Sequence, residues 1–272
     1  MSIVAARRYR STDRWPDQVD PCTICLTVDV EWVADPVLAA VRQLLDERGL
    51  RGTFFCTHAG VDVGPHERGL HPNYRRGGDQ LKALTAQARD KMPTLSESEI
   101  YRHILGLTRA FAPEAKGARS HSLYYDSLLI RLYGEFGLEY DSTYLMPLVA
   151  GLRPFWKEDD VLELPIYFND HFELKTGACN FDVAQLGLER PGLKIINLHP
   201  NMIWLNCDSD ARYQRSKAFY HDVERLTAAA YPGRGIRSLV IDLLDHIVTR
   251  RMPTMTLGEI NTQWRAFDQS GA

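Results

Sequence analysis

Short apolar runs alternate with amphipathic stretches along most of the chain. Residues 23–30 (TICLTVDV) are rich in β-branched and apolar side chains, a pattern typical of a strand that is buried on both faces. Residues 37–48 place apolar side chains at helical spacing, with Pro36 suited to the first helical position and Gly49 to the helix end. A second buried strand is predicted at residues 51–58. The chain should therefore open as β-α-β, with parallel strands joined by a right-handed crossover.

The same alternation continues towards the end of the chain. Further strands are predicted at residues 115–122, 138–144, 160–168 and 192–200, with a last one at 252–257. Helices are predicted at residues 96–111, where Ser96 and Glu99 form a capping-box signature, and at 125–136, 213–230 and 238–251. Between residues 59 and 94, Gly, Pro and charged residues predominate, apart from a helical-looking piece at 78–90. Such a long loop in a compact chain more often has a function than serves only as a connection.

Repeated strand-helix alternation over 272 residues predicts an α/β protein. A distorted or incomplete (β/α) barrel of seven strands is the favoured architecture, and a doubly wound sheet is the alternative. No linker separates two halves, so residues 1–272 are expected to form one domain. Both architectures place active sites at the carboxyl ends of the strands, so chemically active residues should follow the strands directly.

The composition is that of an ordinary soluble protein, with 44% hydrophobic residues, 25% charged residues and a formal net charge of −3. That charge gives no reason to expect nucleic-acid binding or attachment to an anionic membrane. The five cysteines, an odd number without regular spacing, fit a reducing compartment. The first residues lack the apolar stretch of a signal peptide, and no run reaches the ~18 apolar residues of a membrane span. We therefore expect a cytoplasmic protein.

Polar residues follow several of the predicted strands. Asp29 and Glu31 come directly after the first strand, and in extended chain both would point to the same side. Ionised carboxylates buried there need a cation, a metal or hydrogen bonds, although an Asp that caps the next helix and a solvated Glu would be the simple structural alternative. Three of the nine histidines also stand at predicted strand ends, namely His58, His121 and His199. Together with Asp29, Glu31 and His71, these histidines form a set of oxygen and nitrogen ligands that suits Zn²⁺ or a similar divalent ion.

Five short segments occur in the order of a known family. They are TVDVEW, RGTFF, HERGLHPN, GARSH and INLHP, spread over residues 22–200. In this order and spacing the chain resembles the polysaccharide deacetylases of carbohydrate esterase family 4. The resemblance implies a distorted (β/α) barrel that removes the N-acetyl group of an amino sugar with a divalent metal, commonly zinc.

The resemblance also implies roles for individual residues. Asp29 would be the general base that activates water, and Arg119 would orient it. Glu31 and His71 would be metal ligands. His199 would be the general acid that protonates the leaving amine. Asp170, in the segment YFNDHF, occupies a position suited to orienting His199.

One expected metal ligand is missing from the family pattern. Where relatives have a second histidine, four residues after the first, this chain has Arg75. One carboxylate and one histidine would hold zinc poorly, so another ligand is needed. His121 is the first candidate, Asp29 the second, and Asn73 a further one that could supply an oxygen ligand or hold a water.

Three functions are compatible with these residues. The first is a metal-dependent deacetylase acting on an N-acetylated sugar or glycan precursor, nucleotide- or lipid-linked because the chain lacks an export signal. The second keeps the fold but is a metal-independent amide hydrolase or a deformylase, which the missing histidine would favour. The third is a degenerate, non-catalytic barrel that binds a glycan, against which the presence of both an acid and a base argues.

Overall fold

The computed structural model of the protein describes residues 14–75, 82 and 95–270. The strands are β1 (Ile24–Asp29), β2 (Gly52–Cys56), β3 (Glu67–Leu70), β4 (Gly117–Ala118), β5 (Tyr140–Asp141), β6 (Phe155–Trp156), β7 (Leu162–Glu163), β8 (Ile166–Asn169) and β9 (Lys194–Leu198). The helices are α1 (Asp35–Asp46), α2 (Glu97–Arg109), α3 (Ser127–Glu135), α4 (Asp170–Thr176), α5 (Pro200–Trp204), α6 (Asp210–Ser216), α7 (Val223–Ala228), α8 (Ile236–Arg250) and α9 (Leu257–Gln269). None of the helices in these ranges is long and apolar enough to cross a membrane.

The strands form one curled sheet. The described residues give it nine strands, in the order β6-β7-β5-β4-β3-β2-β1-β9-β8, and all neighbours are parallel except β6 and β7. The segment after β5 reaches the far edge of the sheet. There the amide of Met146 donates to the carbonyl of Ile166 in β8 over 2.8 Å. The described residues also form an isolated bridge between Leu145 and Ile166, and the amide of Leu148 donates to the carbonyl of Tyr167, but no strand of the segment pairs with β8. The prediction of a distorted, incomplete barrel is confirmed.

The number of strands differs from the predicted seven for three reasons. The predicted strand at 160–168 is divided into β7 and β8 at Pro165, which has no amide hydrogen to continue the ladder. Strands β3 and β6 are not predicted, since two of the four residues of β3 are charged and β6 is only two residues long. Residues 252–257 form no strand, and only Thr254 makes an isolated bridge to Ile24.

Successive residues of β1 face two different parts of the core. Ile24, Leu26 and Val28 belong to an apolar cluster with α1 and α8, outside the barrel. Cys25 belongs to a second cluster with Phe55 inside the barrel, and this cluster includes residues of α9. The interior therefore becomes polar only further along the strand, at Thr27 and Asp29. This arrangement places the polar groups at the carboxyl ends of the strands.

Some of the predicted helices are confirmed, and others differ from the prediction. Helix α2 begins with the predicted capping box of Ser96 and Glu99. The single helix predicted at 213–230 is instead α6 and α7, joined by a turn, and α9 was not predicted at all. The helical-looking piece at 78–90 lies outside the described residues, apart from residue 82.

Candidate metal and catalytic site

Five parallel strands bring the candidate residues to one rim. Asp29 ends β1, His71 follows β3, Arg119 follows β4, Asp170 follows β8 and His199 follows β9. All five side chains are buried. His71 was expected in a loop, but it directly follows a short strand, because residues 67–70 pair with β2 and β4. Parallel strands end at the same edge, so residues far apart in the sequence meet there.

A tight turn after β1 directs Glu31 into the site. The prediction of extended chain at this point is wrong, since Glu31 and Trp32 have positive φ angles of 55° and 54°. Such backbone is costly for residues other than Gly, and it persists at functional sites when the surroundings enforce it. The amide of Trp32 donates to the Thr57 hydroxyl over 3.1 Å, which ties the turn to the end of β2.

Three potential ligand atoms converge at Glu31. Its Oε1 lies 3.1 Å from His71 Nε2 and 2.9 Å from His121 Nδ1, and atoms of the three residues lie within 4.8 Å of one another. His71 Nδ1 lies 2.8 Å from the carbonyl oxygen of Arg119, so Nδ1 carries a proton, and the lone pair of a neutral ring points at the Glu31 carboxylate. Two acceptors held this close need a proton or a cation between them. One carboxylate and two imidazoles are donors that Zn²⁺ accepts.

Glu31 is a charged carboxylate in this setting. Burial favours its neutral form, but hydrogen bonds from His121 and His71 outweigh burial and hold the pKa of Glu31 well below its ordinary value. Glu31, His71 and His121, called the ligand trio below, therefore combine a negative oxygen with two nitrogen donors.

Asp29 is held by a buried polar network centred on Arg119. Arg119 is fully buried, and its Nη1 donates to Asp29 Oδ1 over 3.0 Å. Asn197 donates to the other carboxylate oxygen, Oδ2, over 3.0 Å. Burial opposes ionisation of Asp29, but the charges of Arg119, His71 and His199 lower its pKa below the ordinary value. Asp29 is therefore an oriented, ionised carboxylate.

His199 lies across the rim, fixed by Asp170. Its Nδ1 lies 2.5 Å from Asp170 Oδ1, and its backbone amide donates to Asp170 Oδ2 over 2.8 Å. Its other nitrogen, Nε2, lies 3.7 Å from Asp29 Oδ2. Burial disfavours the imidazolium, but Asp170 and the more distant carboxylates of Asp29 and Glu31 raise the pKa of His199 to about 9. The ring is protonated at neutral pH.

The other two candidates for the missing ligand, Asp29 and Asn73, lie outside the group of Glu31, His71 and His121. Asp29, Glu31 and His199 form a second group whose ligand atoms lie within 4.8 Å of one another. Asn73 accepts a hydrogen bond from the amide of Arg75 over 3.2 Å, which is turn chemistry.

Sequence reasoning missed two parts of this site. Asn197 orients Asp29, and the signal was an amide side chain within the otherwise apolar run KIINL. The second part is one wall of the cavity above the rim, which has a volume of about 1190 Å³. Helices α4 and α6 contribute to that wall, and aromatic side chains line the cavity, namely Trp32, Tyr124, Phe172, Tyr213 and Tyr220. His58 also lines the cavity, but it belongs to neither candidate ligand group of the described residues.

The fold and this rim of carboxylates and histidines define the class of the polysaccharide deacetylases. The sequence model of the WbmS-like polysaccharide deacetylases matches residues 26–217, which is most of the chain. The chain belongs to this family and is a hydrolase of the sugar N-deacetylase type.

One solved structure agrees with this result for the fold, and two others are more distant. A protein from Bordetella bronchiseptica, assigned to the polysaccharide deacetylases and to O-antigen biosynthesis, is 26% identical with a TM-score of 0.68, and the alignment covers 82% of this chain and 90% of that one. A family 4 pseudoenzyme from Bacillus anthracis is 14% identical, covering 91% and 66% of the chains with a TM-score of 0.44. A peptidoglycan deacetylase from Bacillus subtilis is 12% identical, covering 93% and 97% with a TM-score of 0.45. No curated protein matches the chain.

Proposed function

We propose that this protein is a metal-dependent hydrolase that removes an N-acetyl group from an amino sugar or glycan precursor. The observation that carries the proposal is the convergence of donor atoms from Glu31, His71 and His121 beside Asp29 and His199. An acid, a base and a set of metal ligands in one cavity are what amide hydrolysis requires.

Glu31, His71 and His121 would hold the metal, and Zn²⁺ suits them best. Three protein ligands leave a coordination position open, as in catalytic zinc sites. The carbonyl of Arg119 fixes the ring of His71 through Nδ1, so Nε2 remains free to coordinate. When bound, a divalent ion would lower the pKa of a water towards ~7 and polarise the amide carbonyl of the substrate.

Asp29 accepts the proton of the attacking water. Its lowered pKa keeps it ionised at neutral pH, and Arg119 and Asn197 fix the plane of its carboxylate. Its Oδ2 faces both His71 and His199, at 4.0 and 3.7 Å from the nearest ring nitrogen of each. The base therefore stands between the ligand trio and the acid.

His199 donates the proton that the leaving nitrogen needs. Asp170 engages Nδ1, so the Nε2 proton is directed towards the reacting centre. As the C–N bond breaks, this proton passes to the nitrogen, and acetate and the free amino sugar result. Because its pKa is about 9, His199 holds this proton at neutral pH.

Acetate release from a panel of N-acetylated sugars tests the proposal. Asp29→Asn and His199→Gln should each lower kcat/KM by about 10²-fold or more. Asp245→Asn and His246→Gln change the same residue types on α8 and should leave activity unchanged. Binding of sugars without any turnover would favour a non-catalytic barrel, and formate release from N-formyl sugars alone would favour a deformylase.

A further inference from the structure

One wall of the cavity stands directly beside His199. His171, in α4, packs edge-on against the ring of His199, with the ring centres 5.7 Å apart. It also packs against Tyr213 of α6, with ring centres 5.1 Å apart. Helices α4 and α6 thus form the wall of the cavity beside the acid.

A lysine lies one turn beyond each of these two rings, Lys175 within α4 and Lys217 directly after the end of α6. Lys175 follows His171 by four residues, and Lys217 follows Tyr213 by four residues, so each lysine shares the face of the residue it follows. Lys217 Nζ lies 5.4 Å from the centre of the Tyr213 ring. Both lysines line the cavity. Two positive charges therefore occupy one wall.

These charges have no carboxylate partner within the described part of the chain. No carboxylate oxygen of a described residue lies within 4.0 Å of the ammonium group of Lys175 or Lys217. Asp210 lies within electrostatic range of Lys175, but its Oδ1 already accepts hydrogen bonds from His171 and Gln214. Among the residues that the structure describes, no ion pair therefore occupies either ammonium group.

The permanently charged residues that line the cavity have a small positive excess, in a protein of net charge −3. Among the described residues that line it, Arg75, Lys175 and Lys217 are permanently cationic, and the only carboxylates are Asp29 and Glu31. Both carboxylates lie at the bottom and are occupied by Arg119 or by histidines. Positive charge on the wall of a concave site attracts anionic ligands.

The position of the wall indicates which part of the substrate carries the negative charge. His199 protonates the nitrogen that stays on the sugar, so the sugar must lie on the side of His199 and the acetyl group on the side of the ligand trio. The lysines consequently face the sugar or the group attached to it, rather than the acetyl group.

We propose that the substrate is an acidic N-acetylated sugar derivative whose phosphate or carboxylate binds at the cavity wall that carries Lys175 and Lys217. This inference rests on the proposed function, because the orientation of the sugar follows from the role of His199.

Steady-state kinetics of the double variant Lys175→Ala/Lys217→Ala test the proposal. Acetate release is measured with UDP-N-acetylglucosamine, N-acetylglucosaminuronic acid and neutral N-acetylglucosamine. For an acidic substrate the KM should rise about tenfold, with kcat changed by less than about twofold. For the neutral sugar both should stay unchanged. Lys175→Arg/Lys217→Arg should restore the KM.

The control is Lys116→Ala, which removes an exposed lysine that precedes β4, at the opposite end of the barrel. An effect confined to the nucleotide sugar identifies a phosphate, and one confined to the uronate identifies a carboxylate. Equal KM changes for acidic and neutral sugars, or no change for any, overturn the inference. Such a result leaves the proposed function intact if Asp29→Asn still abolishes turnover of the neutral sugar. Only the inference of an anion site is then rejected.

Binding gives a readout that does not depend on turnover. Calorimetry with UDP and with glucuronate should show about tenfold weaker binding of at least one of them to the double variant than to the wild type. Equal affinities of both proteins for both probes would contradict a lysine-based anion site.

Discussion

Removing Arg119 should destabilise the protein more than the loss of any surface charge. Its guanidinium is fully buried and donates to Thr27, Asp29, Asn197 and Ser142. In Arg119→Met, Asp29 would remain a carboxylate that is only 3% exposed, and it would lose the nearest positive charge while Asn197 still donates to it. Breaking a buried charge pair from one side costs about 3–5 kcal/mol, which is a large part of the stability of most domains.

Urea unfolding at pH 7 in the presence of a chelator measures this loss without a contribution from bound metal. The double variant Asp29→Asn/Arg119→Met should be more stable than Arg119→Met, because it no longer contains a buried carboxylate that has lost its guanidinium partner. Arg102→Met, which removes an exposed partner of Glu135, is the control and should have a much smaller effect.

The pH dependence gives a second check on Arg119→Met. Because the native pKa of Asp29 is lowered, Asp29 stabilises the wild type above its unfolded pKa, and this contribution is lost as pH falls through the native pKa. Wild type and variant should therefore differ less at acid pH. A loss below about 1 kcal/mol at pH 7, or no relief from Asp29→Asn, would refute the reasoning.

Two further perturbations address the acid and the geometry of the rim. In Asp170→Asn the pKa of His199 should fall from about 9, so the decline of kcat/KM on the alkaline side should begin at lower pH, with about a tenfold loss at pH 8. A pH profile with an unchanged alkaline limb would exclude His199 as the acid. In Gly69→Ala the new methyl group would meet the ring of Phe55 at 2.7 Å, so we expect about 1–3 kcal/mol of destabilisation in urea unfolding. Wild-type stability of this variant would show that β3 is less tightly packed than described.

Much of the fold follows from local sequence patterns. The runs that became β1, β2 and β9 are apolar enough to be recognised as buried strands, and the capping box marks the start of α2. Strand β3 could not be found this way, because two of its four residues are charged and its pairing comes from neighbouring strands. Tertiary contacts decide such short strands.

The candidate site was predictable where polar residues follow apolar strands. Asp29 and His199 are of this kind. His121 is predicted as a metal ligand because the chain has Arg75 where the family pattern has a histidine. The turn at Glu31 was not predictable, since two non-glycine residues with positive φ leave no signal in the sequence. The wall with Lys175 and Lys217 was also missed, because surface lysines on helices look like ordinary solvated residues until the fold places them on a cavity.

Metal content coupled to activity tests the central claim most directly. The purified protein is stripped with a chelator, titrated with Zn²⁺ and assayed for acetate release, with elemental analysis at each step. We predict that stripping abolishes turnover, that about one equivalent of zinc restores it, and that His121→Ala and Glu31→Ala bind zinc much more weakly. Full acetate release by the exhaustively stripped protein in metal-free buffer would contradict the account.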